Sequence, residues 1–149
     1  MRIQTPEDPP MNRSLPMLRW CLVSLLVLFT ALPLFGAEKV LFEGTWTKKG
    51  FEIAGTWKVV EDGDRHYVVL DEAFRTKKAP DLKIFLSPKS LAELGNRNAT
   101  EGSVLVGPLP GARGAQRLAV PAGTNPSEFR TLVLHCEQYS KLWGGAPLR

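Results

Sequence analysis

Short runs of apolar or alternating residues make up the chain from Leu41 to its end, and clusters of Gly, Pro, Asn and Asp separate them. This spacing is typical of strands joined by turns, and no long helical period accompanies it. About seven or eight such runs in one small domain favour a closed or nearly closed antiparallel arrangement, because closure removes exposed edges. The sequence therefore predicts an all-β fold, a compact antiparallel β-sandwich or barrel of about seven to eight strands.

The clearest alternation defines the expected core face. Phe51, Ile53, Trp57 and Val59 fall on one side of an extended chain at period two. The preceding run, 40–47, is joined to this one by a short link that contains glycine, which suits a hairpin. The sequence thus predicts two paired strands whose apolar side chains enter the core.

A second hairpin turn is predicted at Asp62-Gly63-Asp64, before the run 66–70. Two carboxylates around a glycine also suit calcium, but the EF-hand spacing and its closing Glu are absent, so the turn is favoured. One helical turn is predicted at 90–94. The remaining predicted strands are 83–86, 103–109, 116–121, 131–139 and a last short strand at 142–148.

The N-terminal segment has the layout of a secretory signal. An uncharged, largely apolar run, 20–37, follows Arg13 and Arg19 and closes on small residues. A bilayer span needs roughly 20 apolar residues, and Pro33 breaks the apolar run before it reaches that length. We therefore expect a signal peptide over 1–37, removed after Ala37, and an exported domain over 38–149 in the periplasm, the cell envelope or the extracellular space.

Two alternatives remain open for this segment. Phe35 stands two residues before Ala37, where signal peptidase prefers a small side chain, so an uncleaved anchor is the alternative to cleavage. In that case the chain would contact a membrane only through its N-terminal segment. Met11 or Met17, each followed by a basic residue ahead of the apolar run, is an alternative to Met1 as the start.

Charge gives no indication of a nucleic-acid partner. Residues 38–149 carry 16 Lys and Arg against 13 Asp and Glu, a net charge of +3. The basic residues are scattered among acidic ones, with no continuous basic and aromatic stripe of the kind that single-strand binders use. The expected partner is an unknown redox or envelope protein.

One cysteine remains after removal of the signal. Cys21 lies in the signal, so Cys136 can form no intramolecular disulfide and is either a free thiol or paired with another molecule. Within its run Cys136 faces the same side as Leu132 and Leu134, whereas His135 faces the other side. This alternation argues against a nucleophile–base pair. A buried cysteine that serves only as a small apolar packing residue is the competing interpretation.

The sequence motifs give little support for a metal site, a cofactor or a catalytic centre. His66 and His135 show no paired spacing of the CxxC or HExxH kind, so no metal site is predicted, and a site that joins Cys136 to a histidine is the weakest hypothesis. No cofactor is predicted, because haem attachment, phosphate-loop and dinucleotide motifs are absent. No Gly-x-Ser-x-Gly elbow is present either. The sequence offers no motif for a stand-alone catalytic activity.

Ordered short matches over more than a hundred residues carry a family resemblance. They are Gly44-x-Trp46, Ile53-Ala54-Gly55-Thr56, Tyr67-Val68-Val69-Leu70, Phe74-x-Thr76, Ala79-Pro80-Asp81-Leu82, Phe85-Leu86-Ser87, Val106-Gly107-Pro108-Leu109, Gly114-Ala115-Gln116, Val120-Pro121, Leu132-Val133-Leu134-His135-Cys136-Glu137 and Gly145-Ala146-x-Leu148. With these matches the region 42–148 resembles the DM-thirteen domain, which is named for suspected electron transfer and is often found beside DOMON domains.

The resemblance implies a compact β fold and a redox-active thiol at Cys136. The family usually has tryptophan just before this cysteine, where this chain has His135. No DOMON or haem domain accompanies the match here, so the expected electron partner is a separate molecule. The resulting hypothesis is an exported accessory domain that transfers electrons through Cys136. Its alternative is a non-enzymatic envelope or extracellular binding module in which Cys136 only packs.

Overall fold

The computed structural model describes residues 38–149. The predicted signal, its anchor alternative and Cys21 lie outside the described residues. Eleven strands and one short 3₁₀ helix, Pro126–Glu128, are present within them. The strands are β1 Lys39–Thr45, β2 Thr47–Lys48, β3 Ile53–Ala54, β4 Thr56–Asp62, β5 Arg65–Leu70, β6 Arg75–Thr76, β7 Leu82–Ser87, β8 Val104–Pro108, β9 Gln116–Ala119, β10 Thr131–Cys136 and β11 Lys141–Pro147.

Two antiparallel sheets build the domain. One has the order β1-β4-β5-β9, the other has the order β2-β11-β10-β7-β8, and β3 and β6 form a separate pair. Apolar side chains from both large sheets meet in one core. The all-β antiparallel prediction is confirmed, and within 38–149 the arrangement is a sandwich without a closed barrel. The strand count exceeds the prediction by three strands of two residues each, β2, β3 and β6.

The predicted core face enters this core. Trp57 and Val59 are almost completely buried, and Phe51 and Ile53 pack half-buried at its margin. Burial of each large apolar side chain contributes about 1.5–3 kcal/mol. The other buried members of the core are Val68, Leu70, Phe74, Leu82, Ile84, Leu86, Val106, Leu118, Val120, Leu132, Leu134, Cys136, Trp143, Ala146 and Leu148.

Gly55 divides the alternating run into two strands. Its φ of 94° is a left-handed conformation that favours glycine, and it turns the chain from β3 into β4. The Asp71 carboxylate fixes the start of β4 by accepting from the Thr56 N–H at 3.0 Å and its hydroxyl at 2.8 Å. The strands β1 and β4 do pair, as predicted, but the connection between them is longer than the expected short link.

Most other local predictions match the structure. The hairpin at Asp62-Gly63-Asp64 is confirmed, since β4 pairs with β5 and Gly63 has a φ of 64°. The predicted helical turn at 90–94 is wrong, because only a hydrogen-bonded turn forms there, with the Glu93 N–H donating to the Ser90 carbonyl at 3.0 Å. Within residues 38–149, no helix has the length and apolar character needed to cross a bilayer.

The strand β10 is buried on both faces. Its inner face contributes to the main core, and its outer face lies under the segment 88–103. Phe85, Val133 and Leu142 form a second apolar cluster there, together with Leu94 and Ala99 of the covering segment. Every residue of β10 is therefore shielded from solvent, including the last one.

Candidate functional site

The candidate thiol lies at the end of a central strand. Cys136 is the last residue of β10, paired with Leu82 on one side and Lys141 on the other. It is a free cysteine with 0% exposure, in the main core with Leu132 and Leu134. The structure confirms the predicted orientation of the side chain.

A set of polar contacts closes the chain around this strand end. The Glu137 N–H donates to the Asp81 carbonyl at 3.0 Å, and the Ser140 N–H donates to the Glu137 carbonyl at 3.0 Å in the turn to β11. Lys83 forms salt bridges with Asp81, at 3.2 Å, and with Glu137. Ser140 has a φ of 45°, the one positive φ among the described non-glycine residues. These contacts hold the end of β10, and the Lys83 salt bridges lie on the face that carries His135, because Lys83 is opposite His135 in the ladder.

His135 occupies the opposite face of the strand. It is buried, with 4% exposure, and meets the Phe85 ring edge-on at a centroid distance of 6.3 Å. Neither ring nitrogen has a partner in good hydrogen-bond geometry, and the Asn96 backbone offers at most a weak hydrogen bond. Burial lowers the pKa of His135, and the Asn96 backbone and the Glu137 charge oppose this only in part. A base on this face cannot serve the Cys136 thiol.

The two histidines do not come together. His66 lies on β5 in one sheet and His135 on β10 in the other. Among residues 38–149, no three His, Cys, Asp or Glu side chains are placed to hold a metal ion.

A bulge positions an aromatic side chain near the strand end. In the pairing of β10 with β11, Leu134 is opposite Gly144 and His135 is opposite Leu142, so Trp143 is the extra residue. Trp143 reaches the main core and stacks on Phe51 at a centroid distance of 4.1 Å. Its indole N–H donates to the Thr76 hydroxyl at 3.0 Å, which fixes the ring.

Two adjoining clefts open beside this stacked pair, with volumes of about 460 Å³ and about 470 Å³. They share Phe51 and Lys77. We call their basic and aromatic lining the aromatic–basic surface, and it consists of Phe51, Arg75, Lys77, Lys78, Arg113, Tyr139, Lys141 and Trp143. Sequence reasoning missed this surface, since its only local signal is the adjacent pair of lysines at 77 and 78.

A family profile described as "Electron transfer DM13" matches residues 46–148. The chain belongs to the DM13 family. The resemblance drawn from the sequence is thereby confirmed. Comparison with curated proteins finds no match, and comparison with solved structures finds none either.

The DM13 match covers the described domain almost completely. It includes β2 to β11, and with them Cys136 and the whole aromatic–basic surface. The description of the family implies a role in electron transfer.

Proposed function

We propose that this DM13 domain is an exported electron-transfer accessory domain that acts through the Cys136 thiol. The observation that supports it most directly is the position of the free cysteine, at the end of β10 within the matched region. Its two strand partners border clefts, because Leu82 lines one and Lys141 lines another. A limited opening at this end would connect the sulfur with solvent.

The chemistry suited to one thiol is exchange with a disulfide of a partner protein. The Cys136 sulfur bonds to one partner sulfur while the partner's S–S bond breaks, and the departing sulfur takes up the proton that Cys136 loses. A thiol of a third molecule then attacks the partner sulfur of the mixed disulfide, forms a disulfide with it and releases Cys136 as the thiol. The number of disulfides is unchanged in each step: the departing partner sulfur is reduced at the expense of Cys136 in the first, and the attacking thiol is oxidised while Cys136 is reduced again in the second.

The contacts around the thiol favour local rather than global opening. The salt bridges of Lys83 involve partly exposed carboxylates and hold this strand end only weakly, because solvent screens such pairs. Strand ends held by few contacts open at a lower free energy than the core does. We expect separation of the 137–140 turn from Asp81, to which the Glu137 N–H donates, to loosen the end of β10 at Cys136 and leave the rest of the strand in place.

A second candidate function has its own supporting observation. The thiol has 0% exposure and is packed in the main core with two leucines, as expected of a cysteine that serves as a small apolar side chain. In this alternative the domain is a non-enzymatic binding module of the envelope or extracellular space.

Alkylation of the native protein separates the two candidates. In a Cys21→Ser background, we expect iodoacetamide to label Cys136 about 10²- to 10⁴-fold more slowly than a peptide thiol, with a rate nearly independent of low urea concentrations. Such a rate indicates local opening, which exposes little surface. Labelling that requires global unfolding, with the full urea dependence of the unfolding equilibrium, would contradict the thiol mechanism. Cys136→Ala is the control for labelling elsewhere.

Paired substitutions at Cys136 give a further test. We expect Cys136→Ala to cost about 1 kcal/mol of unfolding free energy, and Cys136→Ser to cost about 1–3 kcal/mol because it buries a hydroxyl without a partner. Both should abolish mixed-disulfide formation with oxidised glutathione, measured by mass spectrometry. Leu134→Ala is the matched control, since it destabilises the same strand and retains the thiol. Equal, negligible adduct formation in the native protein and in Cys136→Ala would support the packing alternative.

A further inference from the structure

The cations of the aromatic–basic surface have no acidic partners within the domain. Arg75, Lys77, Lys78, Arg113 and Lys141 form no salt bridge with any residue of 38–149. Many cations elsewhere do, such as Lys83, Lys89, Arg117 and Arg130, although Arg65 and Arg97 also have none. Glu52 is the one carboxylate among the described residues that line the two clefts, and it pairs with Lys48.

Aromatic rings lie among these cations and present flat apolar area. Phe51 is half-buried against Trp143, and the Lys77 ammonium lies over the Phe51 ring at 5.0 Å from its centroid. Tyr139, in the turn from β10 to β11, is 62% exposed. Tyr, Trp and Arg are the residue types that dominate the energetics of protein interfaces. The surface thus combines rigid aromatic contact area with a positive rim.

We propose that the aromatic–basic surface docks a protein partner that presents clustered carboxylates around an apolar contact. Charge complementarity supports the proposal. The unpaired positive charges repel one another in the free domain, and an acidic partner surface would reduce this repulsion. The arrangement suits a protein better than one small anion. The five cations are divided between two adjoining clefts, since Arg75 and Arg113 line one, Lys78 and Lys141 line the other, and Lys77 lines both.

The docked partner would lie over the strand end that holds the thiol. Lys141 belongs to the surface and is also the residue paired with Cys136 across β10 and β11. The inference therefore extends the proposed function. It rests on that function only for the expectation that the partner is a redox protein. The docking itself depends on charge and aromatic area, and not on the sulfur.

A titration with an acidic peptide tests the docking. We expect a Glu-rich octapeptide with one central Phe to shift the backbone amide signals of 51–54, 75–79, 113 and 139–143 in the purified ¹⁵N-labelled protein. The affinity should fall as ionic strength rises from about 20 mM to about 300 mM, over which the Debye length shortens severalfold. Signals that shift mainly outside these segments would overturn the proposal.

Matched charge-reversal variants locate the binding. The double variant Lys77→Glu with Lys141→Glu is expected to weaken peptide binding about tenfold or more, because like charges then face the peptide. The control, Arg65→Glu with Arg97→Glu, changes the net charge equally at exposed positions outside both clefts. Tyr139→Ala leaves the charge unchanged and is expected to weaken binding about fivefold. Equal losses in the test and control pairs, at unchanged urea midpoints, would overturn the proposal.

Two further measurements distinguish other ligands and separate this inference from the thiol mechanism. Phosphatidylserine vesicles or a short single-stranded oligonucleotide that bound through these residues more tightly than the peptide would overturn the assignment to a protein. In the Cys136→Ala variant the peptide affinity should be unchanged. A failure of thiol labelling with intact peptide binding then contradicts only the thiol mechanism, and the reverse result contradicts only the docking surface.

Discussion

Gly55→Ala is expected to lower the free energy of unfolding by about 3 kcal/mol or more, because two costs combine at this position. A side chain at a φ of 94° is strained, at about 1–2 kcal/mol. A Cβ there would also lie 2.6 Å from the backbone N and Cα atoms of Phe74 and 2.5 Å from the Asp71 carboxylate. Backbone cannot move aside as a flexible side chain can, so the turn that contains Asp71 and Phe74 must shift.

Gly63→Ala is the matched control for this prediction. Gly63 also has a positive φ, 64°, but a Cβ there meets nothing within 4 Å. We expect it to cost only about 1 kcal/mol, the conformational part of the effect. Urea unfolding of both variants measures the difference. Equal costs would show that the approach to Phe74 is not tight, and the close contact would have to be abandoned.

The Gly55 variant also tests how the clefts are supported. The turn through Asp71 and Phe74 leads directly into Arg75 and Lys77. A shift of this turn should therefore displace basic residues of the aromatic–basic surface and weaken peptide binding, even in the fraction of molecules that remains folded.

His135→Leu is expected to raise the free energy of unfolding by about 1–3 kcal/mol at neutral pH and by more in mild acid. A buried polar group without a partner carries a penalty of about this size, and leucine fills a similar space without it. The side chain meets the edge of the Phe85 ring, beside the second apolar cluster that the segment 88–103 covers. Few single substitutions in a native core stabilise it, which makes the direction of the change diagnostic.

The pH dependence follows from the direction of the pKa shift. Burial lowers the pKa of His135 below its ordinary value of 6.5, so the unfolded chain binds the proton first as the pH falls. The resulting destabilisation is absent well above pH 6.5 and grows as the pH falls from there to the lowered pKa of the folded protein. The charged groups that face this region are Lys83 on β7 and Glu137 after β10, which are bound to each other.

Urea unfolding between neutral pH and about pH 5 measures this effect, because a histidine normally titrates in this range. His135→Leu should flatten the decline of stability in mild acid. His66→Leu, at a half-buried position on the other sheet, should leave the decline in place because His135 remains. An unchanged slope in His135→Leu would mean that the buried imidazole is not the group responsible.

Sequence reasoning identified the elements well because alternation reports directly which side chains are buried. The alternation predicts buried side chains at Trp57, Val59, Leu132 and Cys136, and all four lie in the main core. It failed where packing between segments that are distant in the chain determines the local structure. Gly55 breaks a run that looks continuous, because its turn packs on Phe74, which is far along the chain. The bulge opposite His135 likewise depends on the partner strand and leaves no local signal.

The candidate site was also predicted only in part from the sequence. Cys136 was found from its count and its family position, whereas the aromatic–basic surface was not found at all. Its residues come from four separated segments, around 51, 75–78, 113 and 139–143, so the basic residues look scattered along the chain. Alternation predicted that His135 would face away from Cys136, but nothing local indicated that 88–103 would cover it.

The burial of Cys136 also bears on how copies of this protein meet one another. An unpaired cysteine in an oxidising compartment ordinarily leads to covalent dimers, because two accessible sulfurs need only collide in the presence of an oxidant. With 0% exposure, the sulfur of Cys136 cannot approach its equivalent in a second molecule while both remain closed. A disulfide between two Cys136 residues then requires two molecules to be in the rare open form at the same time. Burial of this thiol therefore keeps folded copies of the domain from being linked through it.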